Sequence, residues 1–178
     1  MSALGQWAEA EAALTKALTR RPRLAEAWYV LGNVHLGTEK LELALHDYER
    51  AAQLKPLSAT YGASIGQALS KSNRHAEAIQ RYRQALQMEP DLWLVHFALG
   101  DELAAANEIG EAKNEYAEAV RLNPGNALAH LDLGVRQAKL GLLDDALEQF
   151  EETLRLEPGN QPAREYIDQV KNAKNHPR

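Results

Sequence analysis

Prolines recur at a fixed interval of 34 residues along most of this 178-residue chain. Glycines, alanines and aromatic residues recur at the same interval in three further series. The four series are Pro22, Pro56, Pro90, Pro124 and Pro158; Gly32, Gly66, Gly100 and Gly134; Ala10, Ala44, Ala78, Ala112 and Ala146; and Tyr48, Tyr82, Tyr116 and Phe150. A period of this length is typical of an array of similar structural units, and it constrains the fold more than any local pattern does.

Each period contains two segments with a helical pattern. Residues 25–37 and 41–54 both carry apolar side chains at three- and four-residue spacing, which predicts two amphipathic helices. Proline ends the second helix, because it has no amide hydrogen to continue the helical bonds. A glycine inside the first helix costs about 1 kcal/mol relative to alanine. Its recurrence therefore predicts that the second helix, with its alanine and its ring, approaches closely at that point.

With these features the chain resembles the tetratricopeptide repeat family. The first complete unit fills the characteristic positions of that family, and the later units repeat most of them, with Thr153 in place of the usual alanine. In the first unit the positions are Trp28, Leu31, Gly32, Ala44, Tyr48, Ala51 and Pro56. The resemblance implies an all-α, right-handed superhelical α-solenoid of stacked helical hairpins with a concave groove. Its units would be residues 25–58, 59–92, 93–126 and 127–160, followed by a capping helix and tail at 161–178.

Residues 1–24 match only the second helix of a unit. The apolar face of this half-repeat includes Trp7 and Leu14, and nothing earlier in the chain covers it. Terminal repeats usually carry a polar cap. We therefore expect this helix to contact a flanking domain or a second copy of the chain. The alternative is that it packs on the first unit and leaves one edge exposed.

The overall composition excludes several classes of function. The chain has no cysteine, and its net charge of −5 argues against general nucleic-acid binding. No segment reads as a signal peptide or is apolar enough to insert in a membrane, so we expect a cytoplasmic protein. Residues 1–90 carry 11 basic and 9 acidic residues, whereas residues 91–178 carry 9 and 16. This asymmetry reflects either random drift of surface charge or a polar surface that orients a ligand.

No catalytic motif is evident in the sequence. Phosphate-binding loops, metalloprotease helices and nucleophile elbows are all lacking. His96 and His130 occupy the position that Trp28 holds in the first unit, and we expect them to pack between helices rather than bind a metal. The sequence therefore predicts a protein that is not an enzyme and has no cofactor, metal site or catalytic residue.

In tetratricopeptide proteins the ligand usually lies on the first helices of the units. The resemblance implies a peptide-binding groove lined by Tyr29, Asn33, Ser64, Gln67, Leu94, Phe97, Asp101, Leu128, Leu131, Asp132 and Val135. Five of these residues are apolar and would form a strip across the third and fourth units. Asp101 and Asp132 would repel each other unless a cation lay between them. We expect a protein or peptide ligand with apolar anchors and a lysine or arginine. The alternative is that these residues are ordinary solvent-exposed positions.

One subgroup of the family binds the C-terminal carboxylates of heat-shock chaperones through lysine, arginine and asparagine. The matching positions here are Tyr29, Asn33, Ser64, Leu94 and Ala98, and only Asn33 agrees. Without cations the charge-assisted bonds of that mode cannot form, so we predict no carboxylate clamp. The expected function is a protein–protein interaction scaffold. The alternative is the substrate-recruiting arm of a larger enzyme, for example a glycosyltransferase, or of a secretion or assembly protein whose other domains lie outside this chain.

Overall fold

The computed structural model describes residues 3–175, with side chains from residue 5, and within this range it contains ten α-helices and no strand. They are α1 (Ala3–Arg20), α2 (Ala25–Gly37), α3 (Leu41–Leu54), α4 (Ala59–Lys71), α5 (His75–Met88), α6 (Trp93–Ala105), α7 (Ile109–Leu122), α8 (Ala127–Lys139), α9 (Leu143–Leu156) and α10 (Gln161–Asn175). The pairs α2–α3, α4–α5, α6–α7 and α8–α9 pack most extensively. The prediction of an all-α solenoid of helical hairpins is confirmed. The last residues of the predicted tail, 176–178, and residues 1–2 lie outside the described residues.

Each of these hairpins is built on a contact between a glycine and an aromatic ring. A Cβ atom placed on Gly100 would lie 2.5 Å from Cε1 of Tyr116, and one on Gly134 would lie 2.5 Å from Cε1 of Phe150. Gly32 and Gly66 meet the rings of Tyr48 and Tyr82 in the same way. The predicted close approach is confirmed: the ring occupies the volume that a side chain at the glycine would need.

The turn inside each hairpin contains one residue in the left-handed region of backbone conformation. The four residues are again 34 apart, with φ angles of 59° at Glu39, 58° at Asn73, 63° at Asn107 and 76° at Gly141. The next residue donates its amide hydrogen to the end of the preceding helix, as Lys40 does to the carbonyl of His35 at 2.9 Å. This bond is typical of a helix C-terminal cap, in which the left-handed position favours glycine or asparagine.

A second recurring contact links three of the four first helices, α2, α6 and α8, to the proline before them. Nε1 of Trp28 donates a hydrogen bond to the carbonyl oxygen of Pro22 at 2.9 Å. His96 and His130 donate from Nε2 to the carbonyls of Pro90 and Pro124, at 2.9 and 3.1 Å. Both histidines are buried, so the prediction that they pack between helices is confirmed.

The two ends of the array differ in how they are covered. At the C-terminal end, α10 buries Ile167 and Val170 against Phe150, and Asn160 Oδ1 caps α10 by accepting a bond from the amide of Ala163 at 3.0 Å. At the other end, α1 packs mainly on α2. Its Trp7 ring lies against Gly37 but remains 38% exposed. Contact of α1 with a flanking domain or a second copy stays a prediction.

Candidate functional site

We call the face formed by the first helices of the four units (α2, α4, α6 and α8) the inner face. A cavity of about 470 Å³ opens on it between α4 and α6. Three of the residues predicted from the sequence, Ser64, Gln67 and Leu94, line this cavity. The remaining lining residues are Thr60, Ala63, Tyr82, Asp91, Leu92, Trp93, Val95 and Ala98. The structure thus places the candidate site at the junction of the second and third units.

The cavity exists because the side chains at its base are small. Ala63 and Ser64 on α4 face Ala98 on α6, and none of them extends far enough to close the gap. Leu94 stands at the edge with 63% of its surface exposed, although leucine gains free energy on burial. A mostly exposed leucine beside a mainly apolar cavity provides an anchoring surface for an apolar side chain of a ligand.

Phe97 does not belong to the exposed surface, and the expectation that it is free for a ligand is wrong. Only 7% of its surface is exposed. Its ring packs edge-on against Trp93, with 6.0 Å between centroids, and lies 5.9 Å from the ring of Tyr116. The guanidinium of Arg136 covers its outer side, 5.6 Å from the ring centroid. Phe97 is therefore part of the hairpin core and cannot act as an exposed anchor.

The expectation that Asp101 and Asp132 need an external cation is also wrong, because Arg136 of the same chain lies at this position. Its Nη2 donates to Oδ2 of Asp101 at 3.0 Å, and its Nε forms a second bond to Oδ1. Its Nη1 lies 3.8 Å from Oδ2 of Asp132. The arginine thus holds Asp101 through two hydrogen bonds and is only loosely paired with Asp132.

Asp101 also connects the inner face to the core. It accepts a hydrogen bond of 2.8 Å from the hydroxyl of Tyr116, the ring that packs on Gly100. Burial first, and then the negative charge of Asp101, raise the pKa of Tyr116 far above its usual range. Burial acts to lower the pKa of Arg136, but the bonds to Asp101 outweigh it and raise that pKa. The tyrosine stays neutral and the arginine charged, so the site keeps its hydrogen bonds over the physiological pH range.

The predicted residues of the first unit contribute to packing rather than to an open cavity. The ring of Tyr29 lies 5.0 Å from Tyr61 and 5.8 Å from Tyr48, measured between centroids. Asn33 accepts a hydrogen bond of 2.8 Å from the hydroxyl of Tyr48. In the fourth unit, where Phe150 has no hydroxyl, the equivalent position is Val135. The hydrogen-bond donor at the Tyr48 position and the acceptor at the Asn33 position are therefore both lost in the fourth unit.

The predicted residues of the fourth unit differ in exposure. Leu128 is exposed, whereas Leu131 and Val135 are half-buried against the cluster around Phe150. The apolar strip expected across the third and fourth units is therefore discontinuous. Leu94 and Leu128 extend outward, and the covered Phe97 lies within the strip.

Between residues 5 and 175, no group of three or more histidines and carboxylates is close enough to hold a metal ion. Residues 3–175 also contain no helix that is both long and apolar enough to cross a membrane.

The sequence-based prediction of the site did not include Trp93, which lines the cavity, or Arg136, which binds Asp101. Arg136 follows Asp132 by four residues and Asp101 by 35, one period plus one. Ion pairs form at a spacing of four along a helix, and residues one period apart lie on neighbouring units. That spacing is the feature of the sequence from which the ion pairs of Arg136 could have been predicted.

Comparison with known families gives matches over most of the chain. Two models described as tetratricopeptide repeat match, one at residues 2–59 and 97–161 and the other at residues 63–92. A search of curated protein sequences found no significant match.

Solved structures share the architecture. A crystal structure of MamA is 22% identical, with a TM-score of 0.76, over 86% of this chain and 90% of MamA. YrrB, described as a TPR protein with an unusual peptide-binding site, is 26% identical, with a TM-score of 0.71, over 92% of this chain and 84% of YrrB. The first TPR of Spaghetti (RPAP3), bound to the HSP90 peptide SRMEEVD, is 22% identical, with a TM-score of 0.58, over 67% of this chain and 94% of that one.

Proposed function

Because the chain belongs to the tetratricopeptide repeat family, we propose that it is a non-catalytic scaffold that binds a peptide or protein segment on its inner face. The observation that carries the proposal is the exposed Leu94 beside the cavity between α4 and α6. The peptide-binding site described for YrrB supports the same class of function.

The chemistry of the cavity defines the kind of ligand that would fit. Trp93, Leu94 and Val95 offer apolar contact, and the hydroxyl of Ser64 and the amide of Gln67 offer hydrogen bonds beside it. An aliphatic or aromatic side chain would enter between α4 and α6, while the backbone of the ligand would bond to the polar residues. Leu128 would provide a second exposed contact further along the inner face.

That the ligand carries a basic residue stays a prediction. Of the two carboxylates, only Asp132 is now expected to bind it. Asp101 already holds Arg136 through two hydrogen bonds. Asp132 is more than half exposed and only loosely paired, so a lysine or arginine of the ligand would meet it first. Replacement of Asp132 by Asn should then weaken binding of a basic peptide more than replacement of Asp101 by Asn does.

We also expect the ligand to differ from the HSP90 peptide held by RPAP3. The positions that would grip its carboxylates hold no lysine or arginine here, so a peptide SRMEEVD should not bind. Selection from a random peptide library, followed by NMR mapping of the selected peptides, tests the proposal. Shifts confined to amides of α4 and α6 are the expected result. Selected peptides that perturb only the outer helices α3, α5 and α7 would contradict it.

A further inference from the structure

A second cavity, of about 570 Å³, lies away from the inner face, where the third and fourth units meet. Ala117 and Val120 of α7 form one wall, and His130, Leu133 and Gln137 of α8 form the base. The other wall is α9, with Glu148, Gln149, Glu151, Glu152 and Arg155. The cavity is open because α7 and α8 touch only sparsely, whereas α3 with α4 and α5 with α6 pack along much of their length. We call this space the joint cavity.

Gln137 is the unusual residue of the joint cavity. Only 6% of its surface is exposed, and its buried Oε1 accepts no hydrogen bond from any described residue. Buried carbonyl oxygens normally have a partner, because an unpaired acceptor costs free energy. The joint cavity therefore offers a buried acceptor that a hydrogen-bond donor of a ligand can pair with.

The other units show that this polar side chain is not required by the fold. The positions one and two periods earlier hold Leu103 and Leu69, both buried in the apolar core. In the first unit the same position holds His35, whose Nδ1 is 2.6 Å from Oδ2 of Asp47. The residue equivalent to Asp47 in the fourth unit is Gln149, and its Oε1 is bonded to His130 instead. Gln137 is thus a polar replacement for leucine without the internal partner that the first unit provides.

The charged residues at the rim of the joint cavity indicate the charge of the ligand group that would pair with Gln137. Glu152 is paired with Arg155 at 2.5 Å. Glu148 and Glu151 are exposed, and neither forms an ion pair with a residue between 5 and 175. The rim therefore carries two uncompensated negative charges above an uncharged acceptor. Arginine fits this combination, because its guanidinium carries several donors in a plane and its stem can lie on apolar walls such as Val120 and Leu133.

We propose that the joint cavity binds an arginine side chain of a partner segment, with its guanidinium between Gln137 Oε1 and the carboxylates of Glu148 and Glu151. Its volume is within the range of ligand sites, so it accepts the side chain with neighbouring backbone. His130, Leu133 and Gln137 lie on the side of α8 that faces α9, whereas Leu128 and Asp132 belong to the inner face. The joint cavity is therefore a separate site, and it does not depend on the function proposed for the inner face.

Titration of the ¹⁵N-labelled chain with N-acetyl-arginine amide tests this proposal directly. We expect amide shifts confined to residues near 117–120, 130–137 and 148–152, and much smaller shifts with N-acetyl-citrulline amide, which is nearly isosteric but uncharged. Equal shifts with both probes, or shifts centred elsewhere, would overturn the proposal. A Leu94→Ser variant should bind the arginine probe unchanged, which separates this site from the inner face.

Two variants define the contribution of the named residues. Gln137→Leu restores the residue of the neighbouring units, so it should fold at least as stably and bind the arginine probe about tenfold more weakly. The double variant Glu148→Gln, Glu151→Gln should also weaken binding, whereas Glu157→Gln, outside the cavity, should not. Unchanged affinity in both the Gln137 variant and the double variant would exclude the proposed site. If the Gln137 variant did not fold, the double variant would decide alone.

Discussion

Arg136 of α8 binds both carboxylate oxygens of Asp101 in α6, and this contact joins the inner faces of the third and fourth units. The same guanidinium covers the ring of Phe97. One side chain thus covers the ring of Phe97 and pairs with the carboxylate of Asp101. Leu94, in the first turn of the same helix and beside the cavity shared with α4, stays exposed.

A double-mutant cycle of Asp101→Asn and Arg136→Gln should show favourable coupling of about 0.5–1 kcal/mol in urea unfolding, and less in high salt. The value is modest because both side chains are partly exposed. The control is the pair Glu118 and Arg121, which lies within one helix and is more exposed; its coupling should be smaller. Equal coupling for the two pairs would show that Arg136 does not link the units in solution.

Gly100→Ala should destabilise the chain by about 1–3 kcal/mol, because the added methyl would lie 2.5 Å from the ring of Tyr116. Gly110 is the matched control. It is also helical, and a Cβ there would have nothing within 4 Å. Gly110→Ala should stabilise by about 0.4–1 kcal/mol, since alanine is the better helix former. Chemical denaturation measures both, and equal effects would contradict the packing described here.

Glu39 has φ of 59° at a position where the fourth unit has glycine. Glu39→Gly should therefore leave stability unchanged or increase it by up to about 1 kcal/mol, because a non-glycine residue is strained there. The reverse change, Gly141→Ala at φ of 76°, should destabilise by about 1 kcal/mol. Thermal unfolding of both variants would check this, and a destabilised Glu39→Gly variant would argue against a left-handed residue in that turn.

Acid should loosen α1 before the rest of the array. Hydrogen bonds from Lys40 and then from His35 hold the pKa of Glu11 below its ordinary value of 4.5. A lowered pKa in the folded state stabilises above the unfolded pKa, and this contribution is lost as pH falls through the folded value. We expect Trp7 fluorescence to change below about pH 4.5, and Glu11→Gln to reduce that change. An identical acid transition in the variant would rule out this role of Glu11.

The array itself could be predicted from the sequence because its determinants are local and repeated. Gly100 and Tyr116 belong to one hairpin, and the same pair returns three more times at a fixed interval. Three of the predicted inner-face residues, Ser64, Gln67 and Leu94, do line the cavity, because their positions follow from the register of the first helices. The cavity that they share was not predictable in this way, because it depends on the distance between α4 and α6.

The errors concern contacts between units. Phe97 and Leu94 are both apolar and lie three residues apart in one helix, so the pattern of that helix cannot separate them. They differ because Arg136, from the next unit, covers only Phe97. The same arginine explains how Asp101 and Asp132 lie close together without an external cation. Residues in such contacts are separated by about one period, as Asp101 and Arg136 are by 35 residues. The apolar pattern within a single helix does not show contacts of this kind.

The most direct test of the central claim is the affinity of one library-selected peptide for the Leu94→Ser and Leu57→Ser variants. Leu57 is the matched control, since it is 88% exposed in the turn between α3 and α4 and does not line the cavity. Phe97 is unsuitable because its removal would damage the core. Loss of the leucine contact should weaken binding to Leu94→Ser by about tenfold or more, with Leu57→Ser close to the wild type. Equal affinities for the two variants would contradict the assignment of the binding site.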